Sequence, residues 1–203
     1  RLVGFIRDRI LAGTFGAGDT LDVYYAAFKI PDLLFNLIVV GALSASFIPL
    51  FLSHYHKPLD QQRAWDFTNN AIHIVGSVIL VFSFFLILFA TPLTRLIAPG
   101  FEEFKQVQVV LFMRIMFLGQ IFLAVSLIYG SVLQSLKHFL IYSFAPIFYN
   151  VGIILGALLL EPFIGPVGLA WGVVIGTFLH LCTQWIGIRA RGYKYRFLFD
   201  LHS

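Results

Sequence analysis

The sequence predicts an all-α polytopic membrane protein with six transmembrane helices, and three observations carry that expectation. Hydrophobic residues make up 59% of the 203 residues and charged residues 12%, whereas soluble domains run at about a quarter charged; mean hydropathy is +0.88. Runs such as Ala71–Ala90 and Phe139–Leu160 are long enough to cross about 30 Å of hydrocarbon as helices. No stretch keeps the period-two alternation of a membrane β-strand. The 17 glycines suit close approach of helix backbones, and the 23 phenylalanines suit lipid-facing and interhelical packing. A single cysteine, Cys182, excludes an internal disulfide and reads as a small buried apolar residue.

The first helix runs from Arg1 to Phe15 and ends at Gly16-Ala17-Gly18-Asp19-Thr20, where glycine supplies the C-cap and Asp19 or Thr20 caps the next helix. The second covers Leu21–Leu52, about 48 Å at 1.5 Å per residue, too long for one straight span. Pro31 is expected to bend it, and Gly41 and Pro49 allow further breaks. Ser53–Arg63 is a polar loop. The third helix covers Asp66–Leu96 and stops at the Pro99-Gly100 turn; the fourth covers Lys105–Leu136; Lys137-His138 is a tight turn. The fifth spans Phe139–Leu160, Glu161–Pro166 is the next turn, and the sixth spans Val167–Ile188, followed by a basic, aromatic tail, Arg189–Ser203.

The flanks sort by charge. Lys57, Arg63, Lys137, Arg189, Arg191, Lys194 and Arg196 fall on one side; Arg95 and Lys105 fall on the other beside Asp19, Glu102, Glu103 and Glu161. The positive side is expected to be cytoplasmic, so the amino end is too. The net charge of +4 is an orientation signal that also meets anionic lipid headgroups, and no nucleic-acid role is read from it. No signal peptide is visible, and the chain starts at Arg1 inside a helical pattern, which reads as a piece of a longer protein.

The opening two helices hold a dense set of charges: Arg1, Arg7, Arg9 and Lys29 against Asp8, Asp22 and Asp32, with Asp19 in the turn between. At about 100° per residue, Leu2, Val3, Ile6 and Ile10 share an arc of about 100°, while Arg1, Gly4, Arg7, Asp8 and Leu11 share an arc of about 120° opposite. On the second helix Asp22, Tyr25, Lys29, Asp32, Asn36 and Val40 fall within about 80°. Intramembrane charge faces a polar cavity or a partner. Two readings stay open at this stage. The stripes neutralise each other as structural ion pairs, Arg7 with Asp22 for example, or their positive excess receives an anion, for which arginine's planar fork is well suited when the anion is a phosphate.

Other polar residues read more simply. His54 and His56 form an H-x-H in a loop without further ligands at metal spacing. His73 and His180 are packing groups rather than proton relays, and Arg114 snorkels. No nucleophile–base–acid set, phosphate loop or dinucleotide fingerprint occurs, so neither an enzyme, a cofactor nor a metal is expected.

The residues RLVGFIRDRILAGTFGAG at 1–18, LD at Leu21-Asp22, YAAFKIPDLL at Tyr25–Leu34 and GALSASFIPLF at Gly41–Phe51 resemble the start of the MurJ (MviN) family, bacterial lipid II flippases of the MOP exporter superfamily. APGF at Ala98–Phe101, GSVLQSLKHFLIYSFAPIFYN at Gly130–Asn150 and GPVGLAWGVVIG at Gly165–Gly176 continue the likeness in order. It implies about fourteen helices in two six-helix lobes plus a pair. This chain, residues 1–203, would be the N-terminal lobe, less part of its first helix and without the C-terminal lobe. It implies a multi-pass protein of the bacterial cytoplasmic membrane whose partners are membrane lipids, the other lobe, and lipid II or a related polyprenyl-pyrophosphate lipid carried from inner to outer leaflet by alternating access, in support of cell-wall synthesis. By the same resemblance Arg1, Arg7 and Asp22 are candidate substrate contacts; Lys29, on the charged stripe of the second helix, is a further candidate, and the breaks at Pro31 and Gly41 are candidate hinges. The likeness departs at Phe35 and Val40, where the family often carries Arg and Glu. Another superfamily transporter (a glycan exporter or a drug/cation antiporter) and a non-transporting membrane scaffold are the alternatives.

Overall fold

A computed structural model describes residues 2–37, 41–57 and 60–200, with side chains of the second segment described from 47 onward. Arg1 and Val40 lie outside the described residues. The elements are α1 (Leu2–Phe15), α2 (Asp19–Phe35), α3 (Gly41–Tyr55), α4 (Gln61–Leu88), α5 (Ala90–Ile97), α6 (Glu103–Ser135), α7 (Phe139–Leu155), a π-helical turn (Gly156–Leu160), α8 (Glu161–Ile164) and α9 (Val167–Arg189), with no strand among the described residues. Four helices, Gln61–Leu88, Glu103–Ser135, Phe139–Ile164 and Val167–Arg189, are long and apolar enough to cross a membrane.

The differences from the sequence reading are local and have physical causes. Asp19 is the first residue of α2 rather than part of the turn. α2 runs through the buried Pro31 to Phe35, and the widened turn comes at Asn36-Leu37, where Asn36 Nδ2 donates to the Asp32 carbonyl at 2.8 Å. The third predicted helix begins earlier, at Gln61, and divides at Phe89. Pro92 explains the division, because it lacks the N–H that would bond the Leu88 carbonyl. The fifth continues past Leu160 through a further helical turn, and the chain reverses at Gly165, whose φ of 69° suits glycine. The Lys137 turn closes α6 with Lys137 N–H bonded to Gln134 O and His138 N–H to Leu133 O, the paired bonds of a Schellman cap.

α6 and α9 form the centre. Phe112, Met113, Met116, Phe117, Ile128 and Leu133 of α6 are fully buried. Gly119 faces Thr177, Ser126 bonds His180, and Gly130 faces Gln184, so the two helices run parallel. α7 lies antiparallel on α9: a Cβ on Gly152 would sit 2.3 Å from Gly176 Cα, and one on Gly156 2.4 Å from Gly172 Cα. With Gly168, Gly172 and Gly176 spaced every four residues, backbone meets backbone here, as small-residue interfaces allow. α2 buries Val23, Tyr24, Ala27 and Leu34 and packs on α6. Phe82, Phe84 and Phe85 of α4 remain exposed, as lipid-facing residues do.

The tail is part of the fold, which its composition did not announce. Tyr193 is 1% exposed and meets Trp65 and Tyr129 edge-on at ring distances of 5.7 and 5.5 Å. Its hydroxyl donates to Asn69 Oδ1, and burial among these rings pushes the phenol's pKa up. Asn69 Nδ2 donates to Lys194 O at 3.3 Å. Asn70 reads the backbone of Asp200 twice, accepting from its N–H at 2.8 Å and donating to its carbonyl at 2.7 Å. His73 hydrogen-bonds the Tyr195 hydroxyl at 2.7 Å and packs against Phe197. Residues 193–200 are thus strapped along the first turns of α4. His73 and His180 both act as packing groups with a hydrogen-bond partner, His180 through Ser126 Oγ at 2.6 Å.

Candidate functional site

Arg7 stands where α1, α2 and α7 converge. Gly4, one turn earlier, lets α1 approach α7 near Asn150, and α1 packs more on α7 than on α2. The Arg7 guanidinium donates from Nε and Nη2 to Asp8 Oδ1 at 2.9 and 2.7 Å. Its side chain is 22% exposed, that of Asp8 50%. The Tyr24 and Tyr149 phenols lie within its electrostatic reach, and Tyr149 also senses Asp32. Asn150 Nδ2 is taken by the Pro146 carbonyl at 2.7 Å, while its buried Oδ1 accepts no hydrogen bond. One cation, a neighbouring carboxylate, two phenols and an amide therefore surround the α1–α7 crossing.

The second part is the α2 stripe. Asp22, Tyr25, Lys29, Asp32 and Asn36 are all exposed, as the wheel predicted, while the opposite face of α2 is buried. Lys29 has no ion pair among the described residues. Phe35 points away from the stripe and packs half-buried against the hydrophobic core, so an apolar residue fits there.

The Arg7–Asp22 pair considered from sequence does not form. Arg7 pairs with Asp8, and Asp22 lies 3.8 Å from Lys105 Nζ, which also bonds Asp19 at 2.6 Å. The reason is axial level. Arg7 lies about 12 Å from the end of α1 at 1.5 Å per residue, whereas Asp22 is in the first turn of α2. Asp19 and Lys105 add one charge of each sign, so the positive excess of these helices stays at one. Of the candidate contacts, Arg7 lies at the crossing, Lys29 and Asp22 lie on the open stripe, and Arg1 lies outside the described residues. Of the candidate hinges, Pro31 is buried within α2 and Gly41 opens α3. Sequence reasoning missed Tyr24, Tyr149, Asn150 and Lys105. The FYN triplet at 148–150 was the available signal, because it places two polar side chains in an apolar helix.

Among the described residues no group of three His, Cys, Asp or Glu is placed to hold a metal. The arrangement is that of a multi-pass helical membrane protein with a polar face, and the comparisons with known proteins sharpen it. A family model described as Lipid II flippase MurJ matches residues 11–203, and the chain belongs to that family, which is one of transporters rather than enzymes. A probable lipid II flippase MurJ of Buchnera aphidicola (Schizaphis graminum) is 32% identical over 188 residues, covering 91% of this chain and 36% of the relative. The lipid II flippase MurJ of Burkholderia cenocepacia is 30% identical, covering 93% and 37%. A solved structure titled lipid II flippase MurJ, inward closed conformation, superposes with a TM-score of 0.79 at 23% identity over 97% of this chain and 41% of that one, a likeness of fold. The chain thus spans well under half the length of the relatives it matches.

Proposed function

We propose that this chain is the N-terminal lobe of a flippase that carries lipid II, or a closely related polyprenyl-pyrophosphate precursor, from the inner to the outer leaflet of the bacterial cytoplasmic membrane. The single observation that carries the reading is the polar convergence of α1, α2 and α7: a partly buried Arg7 beside an exposed charged stripe on α2. Charge on a membrane helix faces water or a partner rather than acyl chains. A pyrophosphate supplies the counter-charge, and a second lobe facing α1 and α2 supplies the other wall.

In this reading the chain crosses the membrane six times, as α1, α2–α3, α4–α5, α6, α7–α8 and α9, with its amino end cytoplasmic. Support for the topology comes from the two ends of the bundle. The strapped tail with its basic residues meets the start of α4 at one end, and Lys105 meets Asp19 at the other. Arg1 and Arg7 attract the pyrophosphate, and Asp8 holds the Arg7 fork in place. Lys29 extends the positive face, and Asp22 marks its outer limit. Pro31 and Gly41 let the second span flex as the lobes alternate around a midplane site.

The test is complementation in cells depleted of their own flippase. In the full-length protein, Arg7→Ala abolishes rescue while membrane abundance stays at the wild-type level. Full rescue by that variant at matched abundance rejects the role.

A further inference from the structure

A cavity of about 470 Å³ with a mixed polar and apolar lining lies between α5 and α6, away from the α1–α7 crossing. Its polar walls are Thr91, Thr94, Arg95, Glu103, Gln106 and Arg114, with the Thr94 hydroxyl already donated to the Ala90 carbonyl. The local sequence explains why it exists. Pro92 breaks the helix and lets α5 leave the line of α4, and the Arg114 Nε donates to the Ile87 carbonyl at that junction at 3.2 Å. Arg114 is thereby pinned about 16 Å into α6 from Glu103, at a depth where a charge needs a counter-ion.

The charge count within the cavity is unequal. Two guanidiniums face one carboxylate, Glu103, and neither arginine forms an ion pair among the described residues. Gln106 is a wall rather than a free donor, because its Nε2 is spent on the Phe101 and Ala98 carbonyls at 3.0 and 3.5 Å. The Thr91 hydroxyl adds a third donor. The rim is apolar and open to the side: Val107 and Leu111 line it, and Leu118, two turns further along the same face of α6, is also exposed. A freely diffusing anion has no use for such a rim, whereas a phosphate that carries acyl chains does.

We propose that the α5–α6 cavity binds the phosphodiester headgroup of an anionic membrane lipid, with Arg95 and Arg114 as the paired donors and the acyl chains lying along Val107, Leu111 and Leu118. Glu103 trims the site to a single excess positive charge, matching a phosphodiester monoanion. Arginine pairs favour phosphate by forked, charge-assisted bonds.

The experiment uses the full-length protein in nanodiscs of phosphatidylcholine doped with phosphatidylglycerol, with retained lipid counted by native mass spectrometry. Wild type retains phosphatidylglycerol several-fold over its bulk share, and Arg95→Gln/Arg114→Gln brings retention down to that share. Arg7→Ala, outside the cavity, retains as wild type, so failure of the flippase reading leaves this result standing. Glu103→Gln retains more than wild type, and this arm decides the matter if the double variant fails to fold. Unchanged retention in either the double variant or Glu103→Gln overturns the proposal. So does displacement of the lipid by inorganic phosphate at equal concentration, which would mark a free-phosphate site, and so does retention of a polyprenyl-pyrophosphate lipid to the exclusion of phosphatidylglycerol.

Discussion

The α7–α9 contact and the α1–α2 pair are built on opposite principles. Between α7 and α9 glycine faces glycine, and backbones approach until no side chain fits. Between α1 and α2 there is little contact, and the polar side chains of the α2 stripe lie open: Asp22 is 59% exposed and Tyr25 48%. In lipid no hydrophobic force drives helices together, so close packing of small residues supplies the cohesion. That cohesion sits on the side of the bundle that carries few charges. The polar side is held by α2's inner face on α6 and by α1's contact with α7, an arrangement that leaves a surface for water, substrate or a second lobe. Rigidity and polarity are segregated, and the difference is measurable residue by residue.

The strongest way to break the comparison is to put a side chain into the glycine contact. A Cβ on Gly176 would meet the Tyr149 carbonyl oxygen at 2.4 Å, and backbone cannot yield as a flexible side chain can. Gly176→Val is expected to leave no monodisperse, detergent-extracted protein by size-exclusion chromatography. Gly13→Ala on α1 is the matching test of the loose side: a Cβ there meets nothing within 4 Å, and the variant should be as stable as wild type or gain up to about 1 kcal/mol of helix propensity. Equal damage from both variants would erase the distinction.

Next in size is Tyr193→Ala, which empties the ring cluster with Trp65 and Tyr129 and is expected to cost about 3 kcal/mol, read as a lower melting temperature and faster proteolysis within residues 193–200. The same clip should loosen in alkali. The buried phenol titrates above its unfolded value of about 10, so its contribution is complete below that pH and declines as pH rises past it. Ser126→Ala is smaller again. It removes the partner of the buried His180 Nδ1 and should cost about 1–2 kcal/mol by thermal melting, on the rigid side, with the open side untouched.

Much of this architecture was legible from residues alone, because the relevant signals are local. Helix ends at Phe15 and Lys137 follow from turn chemistry, and the α2 stripe follows from a 3.6-residue period that a short helix keeps. The glycine contact was anticipated in kind, although composition does not say which glycines meet. What stayed hidden depends on distance in sequence. Tyr193 reads as an interfacial aromatic until Asn69, more than a hundred residues earlier, is seen to accept its hydroxyl. The Pro92 break was missed because the run around it is apolar enough to read as one helix. The Arg7–Asp22 pairing, one of the two readings left open by the stripes on consecutive helices, gives way to Lys105, a cation from the start of α6.

That last ion pair gives the smallest expected effect and the finest test of how loosely the open side is held. Lys105 reaches Asp19 at 2.6 Å and Asp22 at 3.8 Å, but the two carboxylates are 75% and 59% exposed. Water and salt screen such a pair, and two mobile side chains lose entropy in forming it. Its Nζ also lies 5.5 Å from the Phe101 ring centroid, so the ammonium has an alternative site on its own side of the turn. Lys105→Ala is therefore expected to leave the melting temperature within the scatter of replicate measurements, at low and at high salt alike. A clear loss of stability that salt abolishes would instead make Lys105 a clasp between α2 and α6, and the polar side would then be anchored electrostatically at the end where it looks most open.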